Sequence, residues 1–153
     1  MPKPPTEWEK FRLEASKILL HFLAAAVLGL AFFPMVMFLV TVWRATAAHE
    51  LWLRALVFSF AIGFGYFIFG TALIFFCVFA KNLFGFRVTP GLHSFYSKQA
   101  IGWMGYNSMI LVANAAFLDV LRISPFQTMF YRLMGAKVGN ECNINTGGLA
   151  DLS

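Results

Sequence analysis

The three histidines of this chain, His21, His49 and His93, are the side chains with the widest range of possible chemistry. His21 lies in a long uncharged run, where an imidazole can ligate a haem or a chlorophyll from one face of a helix. A haem held by two histidines needs a facing partner, and the second uncharged run contains none. The sequence favours a single histidine close to the lipid headgroups, so no cofactor is expected and His21 is the one candidate.

The other two histidines lack the companions that catalysis needs. His49 stands beside Glu50, and such a pair can exchange a proton, but both fall in a polar connector where solvated side chains are the commoner case. No acidic residue follows any of the three histidines five positions later, as the His-x4-Asp motif of membrane glycerolipid acyltransferases requires. We therefore exclude that class and expect no catalytic residue in this chain as it stands.

Cysteines and glycines also lack the spacing of a chemical site. The chain has two cysteines, Cys77 and Cys142, which are too few for a metal site or a disulfide framework. Gly63, Gly65 and Gly70 lie in an apolar run with no lysine after them, so they are packing or bending positions and not a phosphate-binding loop.

The composition excludes a water-soluble enzyme core. Of the 153 residues, 59% are hydrophobic and only 12% are charged, which leaves too little polar surface to cover a globule of this size. The apolar residues must face a lipid bilayer. The net charge of +5 then reflects where lysine and arginine lie relative to the membrane, and nucleic acid is not an expected partner.

Two uncharged runs predict a hairpin of transmembrane helices, at residues 18–43 and 55–80. Each run makes about 39 Å of helix, against a hydrocarbon core of about 30 Å. A signal peptide is the alternative for the first run, because Ala45, Thr46 and Ala47 resemble a cleavage site, but the apolar run is about twice the usual length. Small residues at Ala25 and Gly29, and at Ala61 and Gly65, have the spacing of helix-packing positions.

Residues 1–17 precede the first span and predict a juxtamembrane amphipathic helix, because Thr6 and Glu9 form a capping box. Lysine and arginine are concentrated before the first span and after the second, with only two arginines between the spans. This bias predicts that both termini are cytoplasmic, in a bacterial inner membrane. The residues expected at the membrane interface are Trp8, Lys17, Arg44, Arg54, Lys81, Trp103 and Arg132.

A third uncharged stretch, residues 99–118, is long enough to span but carries four polar side chains, Gln99, Asn107, Ser108 and Asn114. We expect it to lie in the membrane plane, within a region of interfacial helices at residues 81–135. The alternative, a third span, would move Arg132 and Lys137 to the outer face, against the charge bias.

A short helix near the C-terminal end is bracketed by capping signals. Ser124 is the expected N-cap, Pro125 the first helical residue and Gln127 the partner in a capping box, while Gly135 is placed for a C-cap. Val138 and Gly139, followed by Ile144 six residues after Val138, then have the spacing of a hexapeptide repeat.

Residues 123–139 together with residues 144–146 resemble the start of the left-handed β-helix in membrane-bound hexapeptide-repeat acyltransferase-like proteins. The resemblance extends over roughly residues 54–146 and includes the membrane C-terminal regions of polylysine-type nonribosomal peptide synthetases. It implies that Gly135, Val138, Gly139 and Ile144 begin a β-helix. In that family the catalytic histidine lies on a later coil, and this chain ends at Ser153, before one coil is complete.

The expected fold is an all-α integral membrane protein with a two-helix transmembrane hairpin and in-plane interfacial helices, followed at residues 136–153 by the first rung of a truncated β-helix. The expected function is a non-catalytic membrane anchor or scaffold of an acyltransferase-like protein. Two alternatives stay open: an accessory subunit of a respiratory, photosynthetic or transport complex, and an active acyltransferase if the chain continues beyond Ser153. The expected partners are the lipid bilayer and other membrane subunits or a second copy.

Overall fold

The computed structural model describes residues 5–86, 94–121 and 124–139, and all regular structure in these ranges is helical. A π-helical turn of five residues continues the third helix without a break. The expected all-helical class is confirmed for this part of the chain. In order, the elements are α1 (Glu7–Ala45), α2 (Leu51–Leu83), α3 (Lys98–Ala113), the π-turn (Asn114–Leu118) and α4 (Pro125–Met134).

Three of these helices are long and apolar enough to cross a membrane: α1, α2 and the continuous stretch Lys98–Leu118. This property suggests a membrane protein. The predicted spans at residues 18–43 and 55–80 lie within α1 and α2, but both helices extend further at each end.

Local pairing explains why α1 begins well before its apolar part. The Thr6 hydroxyl accepts a hydrogen bond from the Glu9 backbone N–H at 3.3 Å, and the Thr6 N–H donates to the Glu9 carboxylate at 2.8 Å, so the predicted capping box is confirmed. An ion pair between Glu7 and Lys10 follows at 2.7 Å. The hydrogen bond from Lys10 to Glu7 and the charge of Glu7 raise the pKa of Lys10.

The seam between α1 and α2 uses only half of the predicted small residues. Ala61 and Gly65 on α2 are buried, and a Cβ added at Gly65 would lie 3.2 Å from the Met35 side chain. Ala25 and Gly29 on α1 are exposed and do not form the seam. Successive residues on a helix are rotated by about 100°, so Val27 and Ala31 lie on nearly the opposite face of α1 from Ala25 and Gly29. Val27 and Ala31 are buried, as are Leu13 and Leu20.

α3 and α4 form an antiparallel hairpin. Near the turn, the rings of Phe117 and Phe126 lie 5.7 Å apart. The Asn114 amide and the Tyr131 hydroxyl are 3.2 Å apart in the middle, and the Tyr106 hydroxyl donates to the Met134 carbonyl at 3.0 Å at the open end. α4 therefore brings the chain back along the second half of α3, to the level of Tyr106.

This hairpin lies beside α1 and α2 and not across their ends, and the in-plane path expected for residues 99–118 stays a prediction. The Arg12 guanidinium donates to the Tyr96 carbonyl at 2.7 Å next to the start of α3. At the far end, the Tyr66 hydroxyl donates to the Ala116 carbonyl at 3.2 Å. Tyr66 lies near the middle of the uncharged run of α2, so the hairpin reaches that depth before it turns.

One of the four polar side chains that favoured an in-plane helix, Asn114, packs between α3 and α4 together with Tyr106. Tyr106 and Asn114 are both only 4% exposed, whereas Leu111 is 68% exposed. An interfacial helix would turn its polar side chains to water. Here these two side chains point into the core and bond to α4.

The C-terminal capping signals are confirmed in part. Ser124 is the N-cap and Pro125 opens α4, but Ser124 makes no side-chain capping bond and Gln127 is buried instead, so the capping box does not form. Gly135 ends the helix in the left-handed conformation, with φ of 112°. No strand occurs among the described residues, so the first β-helix rung has no support at residues 136–139, and Ile144 lies outside the described ranges.

Candidate functional site

A groove of about 380 Å³ lies between α1 and α3 near the charged end of the bundle. Its α1 wall contains Lys17 and His21, and its α3 wall contains Trp103, Asn107 and Leu111. Side chains four apart share one helix face, so each wall is a ladder of neighbouring side chains. The structure thus brings together three residues that the sequence singled out for separate reasons: His21 as a cofactor candidate, and Lys17 and Trp103 as interface residues.

The orientation of His21 fixes its tautomer. Its Nδ1 lies 2.7 Å from the Lys17 carbonyl oxygen. A carbonyl only accepts hydrogen bonds, so Nδ1 carries a proton, and in the neutral imidazole Nε2 then carries the lone pair. An axial metal ligand needs the same tautomer, but the described residues contain no group of three or more His, Cys, Asp or Glu side chains that would hold a metal ion.

Two further polar side chains set the chemistry of the groove. The Lys17 ammonium lies 2.6 Å from the Glu14 carboxylate, and both side chains are partly exposed. The Ser108 hydroxyl, on the α3 wall, donates to the Met104 carbonyl at 2.8 Å. The Lys17 ammonium can therefore donate further hydrogen bonds to a ligand, and the Ser108 hydroxyl can accept hydrogen bonds from a ligand.

A second polar cluster fixes the end of α4. The Lys81 ammonium donates to the Met134 carbonyl at 2.9 Å and to the Leu133 carbonyl at 3.3 Å. Met134 also accepts from the Tyr106 hydroxyl. A cation at a helix C-terminus compensates the last carbonyls and the helix dipole. Lys81, expected only at the membrane interface, therefore joins α2 to α4.

Arg132 holds the chain that leaves α4. Its Nε donates to the Val138 carbonyl at 3.3 Å, and its Nη2 donates to the Gly139 carbonyl at 2.7 Å. Three of the residues predicted to begin the β-helix, Gly135, Val138 and Gly139, thus lie in a turn that is held against the end of α4.

The remaining interface residues lie at the two ends of the bundle. Trp8, at the start of α1, is 68% exposed. Arg44 lies in the last turn of α1. The Arg54 guanidinium sits 3.5 Å from the centre of the Trp43 ring and also donates to the Trp43 carbonyl at 3.3 Å, which ties the two long helices together at the connector.

The groove and the α4 cluster contain neither a nucleophile paired with a base nor a set of metal ligands. No protein family, characterised protein or solved structure matches this chain. The resemblance to hexapeptide acyltransferase-like proteins therefore rests only on the sequence motifs of this chain, and it stays a prediction.

Two structural contacts were missed by reasoning from the sequence. Tyr66 binds the backbone at Ala116 in the π-turn, and Asn114 binds Tyr131. The signal for Tyr66 was present, because a hydroxyl in the middle of a run of phenylalanines needs a partner when it is buried. The partner of Asn114 could not be predicted from the sequence, because it lies on another helix 17 positions away.

Proposed function

We propose that this chain is a membrane anchor that holds the segment following α4 at one fixed position on the membrane face. The observation that carries the proposal is the Met134 carbonyl. It accepts hydrogen bonds from Lys81 on α2 and from Tyr106 on α3, at 2.9 and 3.0 Å. Two helices thus converge on the last residue of α4, immediately before the chain leaves the bundle.

The arrangement of the helix ends supports an anchoring role. α1 begins, α2 ends and α4 ends on the same side of the bundle, since Arg12 contacts Tyr96 and Lys81 contacts Met134. The positive residues are concentrated on this side, which is then the cytoplasmic side by the positive-inside rule. In this proposal, the protein lies in a bacterial inner membrane with both termini in the cytoplasm.

The resemblance to hexapeptide acyltransferase-like proteins adds the nature of the anchored segment. Val138, Gly139 and Ile144 have the spacing of a first hexapeptide unit and follow directly after the fixed point. The residues described here supply no acyl-transfer chemistry, so acyl transfer is proposed only for a chain that continues beyond Ser153.

A distance measurement tests the anchor. Both cysteines are first replaced, and spin labels are attached at Phe11→Cys on α1 and Lys137→Cys in the turn after α4, both exposed positions. We expect a narrow distance distribution by double electron–electron resonance. The matched control is the pair Phe11→Cys and Leu83→Cys, which reports the packing of α1 on α2. A broad distribution for Lys137 beside a narrow one for Leu83 would overturn the proposal.

The mass of the natural protein, purified in detergent, separates the two forms of the proposal. A mass near 17.2 kDa corresponds to a non-catalytic anchor or an accessory subunit. A mass well above that value would mean that further coils follow, and acyl transfer should then be assayed.

A further inference from the structure

The groove between α1 and α3 has its one cationic side chain, Lys17, at one end and Leu111 at the other. Lys17 and Trp103 lie at the charged end of the bundle, and His21 and Asn107 lie one helical turn further in. Leu111 lies another turn along α3. Each of these steps is about 6 Å along the helix axis. Lys17 and Leu111 are therefore separated by about the distance between the headgroup and the first part of the acyl chain of a phospholipid, and Leu20 and Met104 add apolar surface between them.

The groove is open to the bilayer and large enough for part of a lipid. Its volume of about 380 Å³ corresponds to roughly a dozen water molecules at about 30 Å³ each. Leu111 is 68% exposed and Trp103 is 42% exposed, so a lipid can enter sideways from the membrane. This space fits a glycerophosphate headgroup and the beginning of one acyl chain.

The hydrogen-bonding groups indicate which headgroup fits. Lys17 has three N–H donors and uses one on Glu14, so it can also donate to a phosphate. In its neutral form, His21 offers the lone pair of Nε2, because its Nδ1 proton is donated to the Lys17 carbonyl. The Ser108 hydroxyl already donates to Met104, so it offers lone pairs as well. The groove thus combines a cationic donor for an anion, at Lys17, with acceptors for hydroxyl groups at His21 and Ser108.

We propose that this groove binds one anionic phospholipid with a hydroxyl-bearing headgroup, of the phosphatidylglycerol type. The phosphate lies at Lys17, the headgroup hydroxyls donate to His21 and Ser108, and an acyl chain lies along Leu111. A choline headgroup has no donor for the two acceptors. An ethanolamine headgroup brings a second ammonium close to Lys17, which is unfavourable.

Native mass spectrometry of the full chain in detergent, titrated with dioleoyl phosphatidylglycerol, tests the proposal. We expect phosphatidylglycerol to bind about tenfold or more tightly than dioleoyl phosphatidylcholine, because both lipids carry the phosphate but only the glycerol headgroup can donate hydrogen bonds to His21 and Ser108. Lys17→Met should weaken the binding of phosphatidylglycerol, and Lys17→Arg should keep it. Glu14→Gln should strengthen binding, because it removes the carboxylate that competes for Lys17. Lys98→Met, an exposed cation that does not line the groove, is the matched control.

Three results would overturn the proposal. The first is equal binding of the two lipids, and the second is an equal loss in Lys17→Met and Lys98→Met. The third is displacement of the bound lipid by soluble glycerol 3-phosphate, since that would indicate a free phosphate ester as the ligand. Circular dichroism of each variant checks that the helices are intact, and the stronger binding expected for Glu14→Gln keeps the test valid if Lys17→Met fails to fold.

Discussion

The ring of Phe117 lies against the bare Cα of Gly70, so closely that a Cβ added at Gly70 would overlap it. A similar contact occurs at the other end of the hairpin, where a Cβ at Gly105 would lie 2.6 Å from the Phe86 ring. Small residues allow close approach between helices in a membrane, where apolar burial gives little preference for helix over lipid. These two glycines therefore determine how closely the α3–α4 hairpin packs against α2.

Replacing Gly70 with alanine should destabilise the protein. The added methyl group overlaps Phe117, and overpacking of this kind costs about 1–3 kcal/mol. Gly63→Ala is the matched control, because Gly63 lies on the same helix with nothing within 4 Å of an added Cβ. It should be neutral or gain up to about 1 kcal/mol from helix propensity. Reversible unfolding in SDS, followed by circular dichroism, gives both values, and equal stability of the two variants would contradict the contact.

Lys81→Met should release α4 from the bundle. The substitution removes the ammonium that donates to the Leu133 and Met134 carbonyls, and hydrogen bonds from charged groups contribute about 1.5–3 kcal/mol. Hydrogen exchange at residues 125–134 should then become faster by about tenfold or more. Lys10→Met, at an exposed site on α1, should leave this exchange unchanged. Unaltered protection of α4 in Lys81→Met would show that the lysine does not hold it.

The helices were predictable from the sequence because their signals are local. The capping box at Thr6, the uncharged runs and the C-cap at Gly135 depend on residues a few positions apart, and the structure has all of them. Ser124 shows the limit of such signals. It stands at the N-cap as predicted, but the side chain of Gln127 packs into the core instead of capping the helix.

The path of α3 could not be predicted, because it depends on contacts between distant residues. Hydropathy offered two alternatives, a span or an in-plane helix, and the polar side chains were counted against a span. Asn114 and Tyr106 instead bond to α4, whose docking no local pattern reveals. The groove was missed for the same reason, since Lys17 and Trp103 are adjacent only because α3 lies beside α1.

Asn114 and Tyr131 should behave as a coupled pair. Asn114→Leu leaves the buried Tyr131 hydroxyl without its amide partner, and Tyr131→Phe has the reverse effect. We expect each single variant to be destabilised and the double variant to lose less than the sum, with a coupling energy of about 0.6–1.7 kcal/mol for a hydrogen bond between membrane helices. Unfolding in SDS of all four proteins gives this energy. A coupling energy of zero would mean that the pair adds nothing to the hairpin.

A cysteine at Val120 should be protected from water on both sides of the membrane. Val120 follows the π-turn at the tip of the hairpin and is 69% exposed, so a label there does not disturb the core. The tip lies near Tyr66, fifteen residues and about 22 Å from Lys81, which is within the hydrocarbon if α2 crosses the bilayer. With both native cysteines replaced, Val120→Cys should therefore react poorly with an impermeant maleimide from either side.

The same experiment distinguishes the three possible paths of residues 99–118. In a hairpin that enters and returns, Val120→Cys is protected, while Lys137→Cys reacts from the side on which α1 begins. If α3 lies in the plane, both positions react from that side. If α3 spans the membrane completely, Val120→Cys reacts from the side of His49. Only the first pattern agrees with the contact between the end of α4 and Lys81. The ten residues of α4 make a helix only about 15 Å long, so α4 reaches Lys81 only if α3 lies beside it along that length.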